Sequence, residues 1–156
     1  MFSYIKKCLH NFRNICLFLS PVGDLVVRLY IANIFFMSGL VKITSWESTL
    51  MLFADEYKVP LLSPLIAAFL GTTAELILPP LLVLGLGGRV MVLMFLIYNA
   101  MNVAFYPYLW TTDGALGLSQ HVTWGLLLIM LLFHGMGKLS LDYLICKICN
   151  RQKYKV

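Results

Sequence analysis

The chain has 156 residues and a net charge of +5, with 60% hydrophobic residues and only 12% charged ones. A mean hydropathy of +0.84 excludes a soluble domain of ordinary composition and points to a membrane protein. Apolar runs that stay unbroken for about twenty residues exclude a transmembrane β-barrel, whose strands alternate apolar and polar positions over about ten.

Residues 1–20, MFSYIKKCLHNFRNICLFLS, place Phe2, Ile5, Leu9, Phe12, Ile15 and Leu19 at helical spacing, with Lys6, Lys7, Asn11, Arg13 and Asn14 largely on the other side. That pattern predicts an amphipathic helix lying in the membrane interface. The apolar part is short and no small-residue cleavage site follows it, which argues against a signal peptide. Pro21 is expected to end this helix and Asp24 to cap the next.

Four spanning helices follow, so the predicted fold class is an all-α integral membrane four-helix bundle. The first covers 25–43, with Arg28 and Lys42 toward its ends, and the second covers 64–86, with Glu75 near its middle. The third and fourth lie in stretches without Asp, Glu, Lys or Arg, 23 residues between Arg89 and Asp113 and 24 between Asp113 and Lys138. Each is long enough for about 30 Å of hydrocarbon. The chain thus divides into an interfacial segment (1–20), a membrane domain (24–145) and a basic tail (146–156).

Nine basic residues (Lys6, Lys7, Arg13, Arg89, Lys138, Lys147, Arg151, Lys153 and Lys155) flank the spans on one side, against Lys42 and Lys58 on the other. The positive-inside bias makes both termini cytoplasmic. It also accounts for the net charge as topology and anionic-lipid contact, not nucleic-acid binding. Trp46, Trp110 and Trp124, with Tyr106 and Tyr108, fall near the outer face and suggest an interfacial belt.

Within the spans, polar and small residues align. Arg28, Ala32, Phe35, Gly39 and Lys42 share one stripe of the first helix, Ala68, Gly71, Thr72, Glu75 and Pro79 one of the second, and Asn99, Asn102 and Tyr106 recur on the third. Such stripes are costly in lipid and predict a polar bundle interior. Pro79 and Pro80 lack the N–H groups that would bond the carbonyls of Glu75 and Leu76. Glu75 is therefore either half of an ion pair at a kink or a proton, ion or ligand site, with Arg28 and Lys42 both open as its partner. The lean of side chains toward their own helix N-terminus favours Lys42, and bidentate geometry favours Arg28. His121 reads as a polar interface residue or a quinone or proton-transfer ligand. It lies too far from His134 in the helix to share a metal with it, and no metal site is assigned. Cys8, Cys16, Cys146 and Cys149 all fall on the cytoplasmic side, where a structural disulfide is not expected and one C-x-x-C is a weak zinc signal.

RLYIANIFFMSGLVKI (28–43), AELILPPLLVLGLGGR (74–89) and HGMGKLSLD (134–142), in that order and spacing, resemble the DoxX family of bacterial membrane proteins, and the likeness runs over residues 28–145. LFADEYKVPLLSP in the first loop resembles a subgroup associated with maturation of metal-binding peptides. The resemblance implies a four-helix inner-membrane protein associated with thiosulfate:quinone oxidoreductase and other membrane redox systems, with Arg28, Lys42, Glu75, Arg89, Ser140 and Asp142 as family landmarks and no agreed catalytic residue. No haem-attachment, P-loop, dinucleotide-binding or zincin motif is found. The expected function is a component of a membrane oxidoreductase system that contacts quinone or passes electrons through a protein partner. The alternative is a non-enzymatic anchor or an assembly or maturation partner. A small permease would need a longer polar path than Glu75, Asn99 and Asn102 supply.

Overall fold

The computed structural model describes the backbone of residues 2–153 and the side chains of residues 4–149. The described residues form helices joined by short turns, with no strand among them: α1 (Phe2–Thr44), α2 (Trp46–Asp55), α3 (Pro64–Leu84), α4 (Gly88–Phe105), a short 3-10 helix (Pro107–Trp110), α5 (Ala115–His134) and α6 (Leu141–Lys153). Four of them, α1, α3, α4 and α5, are long and apolar enough to cross a membrane. The protein is a multi-pass membrane protein, as its composition requires.

The most extensive contacts join α1 to α3 and α4 to α5. Ile31, Phe35, Leu78, Leu82, Val92, Phe95, Leu128 and Leu131 meet at the centre, all buried. Phe35 lies edge-on to Phe95 at 4.8 Å and to Trp124 at 5.2 Å, the arrangement that ring quadrupoles favour. Trp124 therefore packs its ring into the bundle from α5. Gly39 lets α1 approach α3 closely, since a Cβ there would come to 3.0 Å from the Cβ of Glu75. Small residues play this part between membrane helices, where no hydrophobic force separates protein from lipid.

Two sequence expectations are corrected. Pro21 does not end a helix, because α1 runs through it, and Asp24 is an interior, buried residue of α1, not a cap. The carbonyl that Pro21 leaves without its donor is that of Leu17, and the Ser20 hydroxyl donates to it at 3.2 Å. Such a side-chain substitute is how a helix survives a proline. The predicted tail is helical as far as Lys153, in α6. Residues 154–156 of that tail, and the side chains of Phe2, Arg151 and Lys153, lie outside the described residues.

α3 carries two prolines in its interior without ending. Its N-terminus is set by Ser63, whose hydroxyl accepts from the Ile66 N–H at 3.4 Å, with Pro64 next in line. Its C-terminus is a Schellman turn. There Gly85 has φ +66, its N–H donates to the Leu82 carbonyl at 3.1 Å, and the Leu86 N–H donates to that of Leu81 at 3.1 Å.

Candidate functional site

Two polar clusters occupy opposite ends of the bundle. At the end shared by the start of the first span and the end of the last, Arg28 is fully buried. It does not meet Glu75. Its guanidinium donates to the carbonyls of Val83 at 3.0 Å and Leu139 at 2.6 Å, with Leu82 at 3.5 Å. The last carbonyls of α3 lie beyond the reach of the helix's own i+4 donors and carry the negative end of its dipole, so a cation is stabilised there beside the turn at Gly85. Ser140 donates to the Gly137 carbonyl at 2.9 Å and accepts from the Tyr143 N–H at 3.3 Å, which caps α6. The Asp142 N–H donates to the Gly85 carbonyl at 3.3 Å. Arg89, exposed, reaches the Phe133 carbonyl near the end of α5 at 3.4 Å. Arg28, Arg89, Ser140 and Asp142 thus tie helix ends together.

Glu75 sits in the other cluster, 3% exposed on α3. Lys42 donates to both of its oxygens, at 2.5 and 2.6 Å, and also lies 3.2 Å from the Ser38 hydroxyl. Of the two cations left open by the sequence, Lys42 is the partner. The Tyr98 hydroxyl of α4 lies 2.9 Å from Glu75 Oε1 and 3.2 Å from the Gly71 carbonyl. Lys42, Glu75 and Tyr98 therefore form a continuous hydrogen-bonded chain across three helices. Tyr98 was missed because the polar stripe on this helix was drawn through Asn99; Asn102, four residues on, is the signal that places Tyr98 on the inward face.

The other predicted residues divide. Asn99 pairs with His121, its amide donating to the His121 carbonyl at 3.0 Å and its Oδ1 lying 2.8 Å from the ring Nδ1. This double contact joins α4 to α5, and the ring packs at 4.7 Å from Trp124. Thr72 is buried, but its hydroxyl has no hydrogen-bond partner and stays outside the chain. Asn102 is buried beside Tyr98.

Cavities lie on both sides of the chain. On the Tyr98 side, a pocket of about 220 Å³ is walled by Phe53, Tyr57, Gly71, Met101 and Phe105, with Tyr98 and Asn102 as its polar side chains apart from Tyr57. Its aromatic wall is ordered by stacking, Phe53 on Tyr57 at 4.5 Å and Tyr57 on Tyr106 at 4.6 Å. Burial, and then the charge of Glu75, push the Tyr57 phenol above its ordinary range. Burial and the hydrogen bond to Glu56 push Tyr106 up to about 12, so both remain neutral donors at physiological pH. On the Lys42 side, an open cavity of about 770 Å³ is lined by Lys42, Ser38, Ser45, Thr49, Asp55 and Glu56. The four cysteines are exposed and belong to neither cavity.

The DoxX family profile matches residues 23–107, a stretch that holds Arg28, Lys42, Glu75, Tyr98, Asn99 and Asn102. His121 and the HGMGKLSLD segment lie beyond it. Searches of curated proteins and of solved structures give no match. Since the profile covers more than half of the chain, and does so over three of its four apolar spans, the chain belongs to the DoxX family.

Proposed function

We propose that this protein is a component of a membrane oxidoreductase system, acting with a redox partner, and that the pocket beside Tyr98 receives the ring of a quinone. The observation that carries the reading is the Lys42–Glu75–Tyr98 chain ending at that pocket. A quinone ring is flat, apolar on its faces and polar at two oxygens. Aromatic walls with a phenol and an amide fit those needs. At about 220 Å³ the pocket is smaller than the roughly 300 Å³ at which drug-sized sites begin, so it suits one substituted ring with its tail left in lipid. Exposed Leu62, Leu70 and Met101 at its rim offer the tail an apolar exit.

Membership of the DoxX family supports a place in the bacterial inner membrane, and the basic-residue asymmetry supports cytoplasmic termini. A second reading, a non-enzymatic anchor or an assembly or peptide-maturation partner, draws on the ion pair itself. Lys42 and Glu75 satisfy each other fully enough to serve only as a clamp between α1 and α3. Purification from native membranes followed by solvent extraction and ultraviolet absorbance decides between them. The redox reading expects quinone in a fixed ratio to protein above that of the surrounding lipid; a ratio equal to the lipid's supports the anchor.

A further inference from the structure

Glu75 has no opening to either cavity, yet its two hydrogen-bonding partners each line a different one. Lys42 borders the large open cavity and Tyr98 borders the aromatic pocket. A clamp between helices needs Lys42 and Glu75 only. Adding the phenol makes an unbroken path of exchangeable protons from one cavity to the other, with links of 2.9 Å from Tyr98 to Glu75 and 2.5 Å from Glu75 to Lys42. Every link is at hydrogen-bond length, the condition for proton transfer between positioned groups.

We propose that Lys42, Glu75 and Tyr98 form a proton wire that joins the aromatic pocket to the open cavity, serving a ring oxygen that gains or loses a proton in the pocket. The choice of ligand rests on the quinone reading above; the wire does not. In the releasing direction, a ring hydroxyl gives its proton to the Tyr98 oxygen while the Tyr98 proton moves to Glu75 Oε1. The new carboxylic acid gives its proton to Lys42 Nζ as the ammonium releases one to water in the open cavity. Tyr98 is again a phenol, Glu75 a carboxylate and Lys42 an ammonium, and one proton has crossed. Run backwards, the same steps deliver a proton to the ring. Asp55 and Glu56 border the open cavity near Lys42 and offer acceptors there. Tyr57 faces the wire from across the pocket as a neutral ring.

The test uses the full chain in nanodiscs, with decyl-benzoquinone as probe and dithionite as the electron source. Reduction of the bound ring takes two electrons from dithionite and two protons through the wire. Two variants interrupt it: Tyr98→Phe, and Lys42→Met combined with Glu75→Gln, which leaves no lone buried charge to unfold the protein. Both should slow reduction of bound probe on the order of 100-fold, the usual worth of a positioned proton-transfer group. The double variant should keep the wild-type affinity, since neither residue lines the pocket. Wild-type rates with probe bound to both variants would overturn the wire. If wild type itself does not bind the probe, the quinone reading falls and the wire is judged by infrared spectroscopy after transfer to D2O. The Tyr98 phenol bands should then shift promptly in wild type and lag in the double variant, and equal timing would overturn the wire.

Discussion

Glu75 pairs with Lys42, and the sequence contained half of the reason. Side chains lean toward their own helix N-terminus, which on antiparallel helices brings Lys42 and Glu75 toward each other. What it did not contain was the competing attraction for Arg28, whose partners are backbone carbonyls of Leu82, Val83 and Leu139. A side chain bound to main chain leaves no residue-type signature. Breaking the pair alone, with Glu75→Gln, leaves the Lys42 ammonium, 11% exposed beside the open cavity, without its counter-ion and should cost up to about 3 kcal/mol, the low end for a buried pair. Adding Lys42→Met should recover most of that loss. Melting of the detergent-purified single and double variants measures both, and a double variant no more stable than the single would show that the pair is not coupled. Gly85 gives a second residue-scale expectation. It holds φ +66, and a Cβ there would lie 2.5 Å from the Ser140 Cβ and 2.6 Å from Arg28 Nη1. Gly85→Ala combines left-handed backbone strain with a clash and should destabilise by at least about 2 kcal/mol. An unchanged melting temperature would contradict the packing described around Arg28.

At the scale of elements, the four spans were legible because length and hydropathy alone define them, whereas α2 and α6 were not. α2 occupies the start of what reads as a loop, and α6 hides in a polar, basic tail. Ser140 followed by Asp142 is a helix start in hindsight, with the hydroxyl on the Tyr143 N–H. α1 is the largest departure. Its 43 residues extend about 65 Å at 1.5 Å per residue, roughly twice the hydrocarbon thickness. The part before Pro21 exposes Ile5, Leu9, Phe12, Ile15 and Leu19, a stripe that water disfavours. The expectation is that in a bilayer this segment lies in the interface on its apolar face, turning at Pro21, where one backbone hydrogen bond is already missing. Spin labels at positions 9 and 11 test this by relaxation. Leu9 should be accessible to oxygen in the lipid and Asn11 to an aqueous nickel reagent, and equal aqueous access at both sites would contradict it.

For the whole molecule, the bundle brings the start of the first span, the α3–α4 turn and the segment after α5 to one end through Arg28 and Ser140, and Lys42, α2 and the aromatic stack to the other. In the proposed topology, which rests on the nine-to-two division of flanking basic residues, the first end faces the cytoplasm. An alkaline phosphatase fusion should be inactive at Val156 and active near Asp113, and the reverse pattern would invert the topology and with it the side to which the proton wire opens. The inward faces were legible as three stripes, but their division into polar clusters at either end of an apolar centre was not, nor was the pocket, because its walls come from α2, α3, α4 and the loop at Tyr57 together. Its occupancy is the central claim, and photolabelling tests it most directly. An azido-benzoquinone irradiated with the nanodisc-embedded protein should label peptides containing Tyr57, Met101 and Phe105. Excess decyl-benzoquinone should suppress that labelling, as should Met101→Trp, which fills the rim. Labelling spread evenly over the lipid-facing surface, indifferent to competitor and to Met101→Trp, would contradict the account.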